Sequence, residues 1–282
     1  MASIPIALRR ARDALEKRTE RVPYRVKLTI VWVVIFVVLA ALFLSYGFDT
    51  DFMLEWAPFI LGGTGITLLV SVCSIVLATV LAVIGALARL SKNPIYSGMA
   101  TLYVSLIRGT PLILQIFFIY LAFPQFARFA PTYLEGAFLL PAIPAGVLAL
   151  GVNYGAYMTE IFRAGIQSVG HGQIEAAHAL AMSPAQTTRR IILPQAVRLV
   201  IPPTGNEFIA MLKDSALVSF IGVSELFFRS TKVGQQNFRN IETLIVAAGM
   251  YWLVTSIFSY FQAKLERKMA RGYVREATTH GH

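Results

Sequence analysis

The amino-acid sequence predicts an all-α integral membrane protein with six transmembrane helices. Hydrophobic residues make up 56% of the 282-residue chain and charged residues only 14%, and the mean hydropathy is +0.63. Soluble domains carry about 25% charged residues. Six runs of mostly apolar residues are each long enough to cross a bilayer, which takes about 20 helical residues. A soluble all-helical protein would need polar helix faces that these runs lack.

The six runs follow one another from the N-terminus. The first occupies 28–48, and its apolar stretch is longer than that of a cleaved signal peptide, so we expect a retained membrane helix. The second covers 56–88, and we expect its membrane helix to begin near Thr64 because glycines cluster there. The remaining four are 99–123, 139–162, 199–223 and 243–263.

Lys and Arg are distributed unequally between the segments that join the runs. Six spans place both termini on one side of the membrane, and 19 of the 25 basic residues then lie on that side. Since basic segments remain in the cytoplasm, we expect cytoplasmic termini with basic tails at 1–27 and 264–282. The net charge of +10 is then explained by topology and by contact with anionic lipid of the bilayer, not by nucleic-acid binding. Four basic residues lie outside, namely Arg128, Arg229, Lys232 and Arg239.

Motifs of energy-consuming and hydrolytic enzymes are missing from the sequence. No lysine follows a glycine, so the phosphate-binding GxxxxGK[ST] loop is absent, and neither HExxH nor GxSxG occurs. The four histidines and the single cysteine, Cys73, offer no metal-binding arrangement. We therefore expect a chain that is not an enzyme, binds no metal or cofactor itself, and depends on another chain for energy.

The segment between the fourth and fifth runs interrupts the apolar sequence with Glu, His, Gln, Thr and Arg residues. Apolar residues between Ile174 and Ala181 recur at helical spacing, which predicts a short helix with small alanines exposed to a partner. Ser183 and Gln186 fit a capping box that begins a second helix, and Pro194 is expected to end it. A solvated linker with helical propensity is the alternative interpretation.

This segment resembles the EAA signature of membrane subunits of type I ABC importers, EAA-x3-G-x9-I-x-LP. The spacing agrees throughout, with alanine in place of the signature glycine. Flanking residues are similar to those of the polar amino acid uptake subfamily, including Arg108-Gly109-Thr110-Pro111, Asn206-Glu207 and Lys213-Asp214-Ser215. The residues that carry the signature, together with the two that precede it, are Gly172, Gln173, Glu175, Ala176, Ala177, Ala181, Ile191, Leu193 and Pro194.

The resemblance implies a five-helix permease domain at 63–263, with 28–48 as an additional N-terminal helix. It implies a complex in the inner membrane of a bacterium, made of two permease subunits, two cytoplasmic ATPases and an extracytoplasmic solute-binding protein. ATP and Mg²⁺ would belong to the ATPases, and the substrate would be a polar amino acid. In that family the EAA segment is the coupling helix that docks on the ATPase.

Polar residues within the predicted spans are a second group of candidates. Ionisable groups at membrane depth are costly and usually face a partner or a wet cavity. In a structural interpretation, Arg108 pairs with an acid, and Lys213 and Asp214 neutralise neighbours at a helix end. In a functional interpretation, some of these groups line a path for a zwitterion. The path candidates are Arg108, Asn153, Tyr154, Tyr157, Glu160, Asn206 and Glu207.

Two other classes of membrane protein are possible from the sequence. A secondary transporter for a small polar solute would need no EAA segment and would typically have internally repeated halves, which the sequence lacks. A membrane-embedded enzyme would need a nucleophile and a base on facing helices, and no such pair stands out. Both fit the sequence less well than a permease subunit.

The predicted topology can be tested by labelling. A cysteine at Thr50, between the first two runs, should react with an impermeant thiol reagent added outside the cell, because that segment is predicted to be external. A cysteine at Ser91 should not react. Labelling at Ser91 without labelling at Thr50 would contradict six spans with cytoplasmic termini.

Overall fold

The computed structural model describes residues 23–129 and 139–269, and all regular secondary structure in these residues is helical. Most of both predicted basic tails therefore lies outside the described residues. The chain divides into two units, Met1–Asp51 and Phe52–His282. In the first unit, helix α1 spans Tyr24–Tyr46. Its apolar residues surround the helix on all sides, and its 23 residues give a length of roughly 35 Å, enough to cross a bilayer.

The second unit is a bundle of long helices joined by short ones. The α-helices are α2 (Thr50–Leu61), α3 (Thr64–Leu90), α4 (Pro94–Arg108), α5 (Leu112–Phe117), α6 (Ala142–Gln167), α7 (His171–Ala179), α8 (Pro184–Thr187), α9 (Leu193–Asp214), α10 (Leu226–Asn237) and α11 (Asn240–Met269). After α5 the chain continues into a π-helical turn at Phe118–Ala122 and a 3-10 helix at Phe123–Phe129. A second π-helical turn, Thr188–Ile192, precedes α9, and a 3-10 helix, Ser215–Ile221, follows it.

Four helical stretches of the described residues are long and apolar enough to cross a membrane. The predicted fourth and fifth spans correspond to α6 and α9, which have 26 and 22 residues but carry more polar side chains. The count of six spans thus stays a prediction. The four stretches are Tyr24–Ala41, Thr50–Leu90, Leu112–Phe129 and Asn240–Met269.

The predicted third span is not one continuous helix. Helix α4 ends at Arg108 and α5 begins only at Leu112. Pro111 cannot donate a backbone hydrogen bond, and its ring disfavours a helical conformation in the residue before it. The hydroxyl of Thr110 donates instead to the carbonyl of Leu106 at 3.0 Å. An apolar run of sufficient length predicted a single span, whereas the local backbone chemistry divides it.

Helices α3 and α6 form the largest contact between any two described helices. Glycines allow this close approach, because a Cβ at Gly85 would overlap Thr159, and one at Gly151 would lie 2.6 Å from Leu77 Cδ2. Small residues at helix contacts are typical of membrane proteins, where packing rather than water exclusion drives association. The contact fixes α6, which carries several of the path candidates.

Glu225 joins three elements at the beginning of α10, and its side chain is completely buried. The carboxylate caps α10 by accepting from the backbone N–H groups of Phe227 and Phe228 at 2.9 and 2.7 Å. It also accepts from the hydroxyl of Tyr251 on α11 at 2.7 Å and from Thr67 on α3 at 3.4 Å. Burial raises the pKa of Glu225, and these four hydrogen bonds oppose the rise. The residue is a structural junction that the sequence analysis missed.

Replacement of Glu225 tests this junction. We expect Glu225→Ala to lower the free energy of unfolding by about 2–4 kcal/mol, since a helix cap is lost and buried donors lose their acceptor. Glu225→Gln retains an acceptor and should cost less. Thermal unfolding of the purified protein in detergent measures the effect, with Glu55→Ala on the exposed face of α2 as the control. Equal midpoints for Glu225→Ala and Glu55→Ala would contradict the assignment.

Candidate functional site

A cavity of about 560 Å³ lies where the break between α4 and α5 faces α6 and α9. This volume is in the range of small-molecule binding sites, about 300–1,000 Å³. Its wall combines charged, amide and aromatic side chains with exposed backbone of the break. The lining residues are Arg108, Gly109, Thr110, Pro111, Leu112, Asn153, Tyr154, Tyr157, Glu207 and Asp214.

The side-chain amide of Gln115 holds the break in the third span. Its Nε2 donates to the carbonyls of Ile107 and Thr110 at 2.8 and 3.1 Å, and to the Thr110 hydroxyl at 2.8 Å. Its Oε1 accepts from Asn153 Nδ2 on α6 at 3.0 Å. Backbone groups that lose helical partners inside a membrane need replacement partners. Gln115 provides them, and Asn153 holds the Gln115 amide at the wall of the cavity.

Charges of both signs face one another across the cavity. The guanidinium of Arg108 lies over the ring of Tyr157, 5.0 Å from its centroid, an arrangement that stabilises a cation. Tyr154 donates its hydroxyl hydrogen to Asp214 Oδ2 at 2.8 Å. Among the described residues, Arg108 and Glu207 form no ion pair. In the part of the chain that the structure describes, no ion pair thus supports the structural interpretation in which Arg108 pairs with an acid, and that interpretation stays a prediction.

Asp214 is a cavity residue to which the structural interpretation of the sequence gave only charge neutralisation at a helix end. It faces the cavity, whereas Lys213 is exposed and no ion pair joins the two. The signal that could have found it is spacing: Asp214 follows Glu207 by seven residues, which places both on one face of α9. The cavity thus contains two carboxylates and one guanidinium.

Two of the path candidates lie away from the cavity. Asn206 is exposed and does not line it. Glu160 forms ion pairs with Arg89 at 3.1 Å and with Arg163 at 2.8 Å. Arg89 also donates to Thr101, so this cluster joins α3, α4 and the last turns of α6. The last turns of α6 lead along the chain to α7.

Helix α7 ends in a left-handed turn. Ala181 has φ +55°, and the carbonyls of Ala177 and His178 accept from the backbone N–H groups of Met182 and Ala181 at 3.0 and 2.9 Å. This is a Schellman arrangement, in which glycine is usual at the left-handed position. The glycine of the EAA signature thus coincides with the one backbone position of this turn that favours glycine. Alanine adopts it here at a cost of about 1 kcal/mol.

The exposed surface of α7 differs from the one predicted. Ala177 was expected to be exposed, but its side chain is buried, with 1% of its surface accessible. Glu175 and Ala176 are exposed. Leu180, which the sequence analysis did not select, is 76% exposed immediately after the helix. Helical spacing predicted which residues share a face, but not which face contacts the rest of the chain.

The second short helix begins as predicted and continues differently. Ser183 and Gln186 form the capping box, with hydrogen bonds of 3.3 and 2.8 Å. Pro194 does not end a helix, because it occupies the first turn of α9, where a backbone N–H is not required. The π-helical turn that contains Ile191 leads directly to Leu193. Gln195 donates to Gln173 and so ties α9 back to α7, beside Gly172.

Known proteins are similar to this chain in sequence and in architecture. Residues 78–271 match the family described as binding-protein-dependent transport system inner membrane component. The chain is 40% identical over 245 residues to the arginine transport system permease protein ArgU of Corynebacterium glutamicum, covering 83% of this chain and 75% of that one. It is 36% identical over 226 residues to YxeN of Bacillus subtilis, a probable amino-acid permease protein, covering 80% and 97%.

A solved structure extends the comparison to three dimensions. The crystal structure of an amino acid ABC transporter with histidines aligns with a TM-score of 0.71 at 36% identity, over 78% of this chain and 99% of that one. The family match covers well over half of the chain, and the relatives are matched over most of their length. The chain therefore belongs to the binding-protein-dependent transport system inner membrane component family.

Proposed function

We propose that this chain is the permease subunit of an ATP-driven importer and that it translocates a polar amino acid through the cavity beside the break in the third span. The observation that carries the proposal is the presence of Arg108, Glu207 and Asp214 around one cavity in a member of this family. Relatives named as arginine and amino-acid permeases support the substrate class. Membership of a binding-protein-dependent family disfavours the alternative, a secondary transporter.

The cavity residues suit the two charged groups that all free amino acids share. Arg108 offers a planar set of donors that matches a carboxylate, and Tyr157 holds the guanidinium from the other face. Glu207 and Asp214 offer acceptors for an ammonium group. A site of this kind recognises the zwitterionic part of the substrate. The side chain of the substrate then occupies the rest of the cavity.

Energy for transport comes from partner chains in this proposal. The exposed surface formed by Glu175, Ala176 and Leu180 contacts a cytoplasmic ATPase, which holds the ATP and Mg²⁺, and this chain holds no cofactor. Two ATPases, a second permease subunit and an extracytoplasmic binding protein complete the complex, with both termini of this chain in the cytoplasm. Closure of the ATPases moves α7 and shifts the permeases between inward-facing and outward-facing states.

The role of the cavity is tested by binding. We expect Glu207→Gln to weaken binding of radiolabelled arginine or glutamine to the purified permease and ATPase complex by at least about tenfold, since a hydrogen bond to a charged group contributes about 1.5–3 kcal/mol. The assay omits the binding protein, which would otherwise dominate the measured affinity. Glu55→Gln on the exposed face of α2 is the matched control. Unchanged affinity in Glu207→Gln, with normal assembly, would remove this residue from the path.

The coupling surface is tested by a pair of neighbouring substitutions. Ala176→Asp places a larger acid on the exposed face of α7 and should abolish solute-stimulated ATP hydrolysis and uptake together, because a lost interface contact of about 2 kcal/mol reduces docking roughly thirtyfold. Its thermal stability should be unchanged. Ala177→Asp places the same acid at a buried position and should instead destabilise the chain. Normal stimulation of ATP hydrolysis in Ala176→Asp would show that the ATPase acts on another part of the chain.

A further inference from the structure

Helix α9 connects the coupling surface to the cavity. It begins immediately after the π-helical turn Thr188–Ile192 and is tied to α7 through the bond between Gln195 and Gln173. Its other half carries Glu207, and it ends at Asp214. A displacement of α7 therefore reaches both cavity carboxylates through this single helix. How far the two carboxylates move depends on where neighbouring helices hold α9 and where α9 bends most easily.

The part of α9 that bends most easily lies midway along the helix. Pro202 and Pro203 have no backbone N–H, so two consecutive helical hydrogen bonds cannot form. The next residue, Thr204, donates its hydroxyl hydrogen to the carbonyl of Val200 at 2.8 Å. Such bonds to the preceding turn bend helices. Three successive residues thus weaken α9 between its coupling half and its cavity half.

Neighbouring helices hold α9 at the same level. Gln262 of α11, which is only 7% exposed, donates from Nε2 to the carbonyl of Pro202 at 2.5 Å and to Glu266 Oε1 at 3.2 Å. A Cβ at Gly205 would overlap the Gln262 amide. On the other side, a Cβ at Gly165 of α6 would overlap Val200. The amide and the two glycines hold the helix on both sides of its weakest turn.

A buried amide in a membrane helix requires a reason, because polar groups there are costly. Gln262 lies on α11, outside the cavity and outside the coupling surface. Its described hydrogen bonds go to the proline carbonyl of α9 and to its own helix. The side chain therefore acts on α9 alone, at the residue where α9 can bend.

We infer that Gln262 is a positioning residue for transport, which together with Gly205 forms the pivot of α9. Because α9 stays helical through the proline pair, movement of the coupling half in one direction then moves Glu207 and Asp214 in the other. The inference rests on the proposed function for the coupling surface that moves α9 and for the role of the two carboxylates. The pivot itself is a statement about the motion of α9.

Distances from a common reference on α11 test the pivot. Spin labels at Arg198 and Lys213 lie seven and eight residues from Gly205, giving arms of roughly 10–12 Å. Each is paired with a label at Tyr260, and Cys73 is replaced by serine; all these positions are exposed. We expect the two distances to change in opposite directions, by about 2 Å for each 10° of rotation over such arms. The states compared are the nucleotide-free and vanadate-trapped complexes.

The role of Gln262 is tested in the same complex by Gln262→Leu, which keeps the volume and removes the amide. We expect the opposing changes to be lost and the amount of amino acid transported per ATP hydrolysed to fall at least twofold, while basal ATP hydrolysis continues. Gln236→Leu, the same change on the exposed face of α10, should alter neither quantity. A purely structural role for Gln262 would change stability without changing this ratio.

Two results would overturn the inference. Distance changes of the same sign at Arg198 and Lys213 in the otherwise unmodified complex would mean that α9 translates as a whole and does not turn about Gly205. This measurement remains decisive even where Gln262→Leu does not assemble. Unaltered distances and an unaltered transport ratio in Gln262→Leu would remove the residue from the mechanism. Neither outcome depends on amino-acid binding by Glu207, so failure of the pivot is distinguishable from failure of the cavity.

Discussion

The cavity depends on the requirement that backbone polar groups inside a membrane have partners. At Thr110 and Pro111 the helix between α4 and α5 is broken, and carbonyls that an intact helix would satisfy lose their helical partners. The side-chain amide of Gln115 donates to two of these carbonyls and accepts a hydrogen bond from Asn153 on α6. Without such replacement each unpaired group would cost several kcal/mol in hydrocarbon. The opening is therefore a stable feature of the fold, and it places Arg108 at the edge of a wet space.

Rigid and deformable parts of the chain are separated. Glycine contacts lock α3 against α6, and the buried carboxylate of Glu225 locks the beginning of α10 to α3 and α11. Irregular backbone occurs at the π-helical turn before α9 and at its proline pair, and also in the π-helical turn Phe118–Ala122. Local π-helical turns are frequent at functional sites. This separation is consistent with the inferred pivot of α9 between helices that are held in place.

Local rules of sequence interpretation succeeded where the deciding contacts are close in the chain. The capping box at Ser183 was predictable because both of its hydrogen bonds join residues three apart. The apolar runs located the long helices because the composition of one continuous stretch decides whether it can enter a membrane, and distant contacts are not needed. Charge spacing on α9 could have placed Asp214 beside Glu207, because a helical repeat needs no tertiary information.

Other features could not be deduced in this way. Hydropathy measures composition, so it did not detect the break at Pro111, which depends on an amide supplied four residues later and on a second one from another helix. The rule that proline ends a helix misplaced Pro194, because the chain had already begun a new helix through a π-helical turn. The burial of Ala177 and the four partners of Glu225 depend on distant helices. Helical periodicity alone contains no such information.

The left-handed turn at Ala181 limits which residues this position accepts. A β-branched or bulky side chain with φ near +55° would clash with its own backbone, whereas glycine has no such conflict. Alanine and glycine codons differ by one base at the second position, so the two residues exchange by a single mutation. The geometry of this turn therefore limits which single mutations the chain tolerates at this position. Alanine is the smallest change from glycine that the turn accepts.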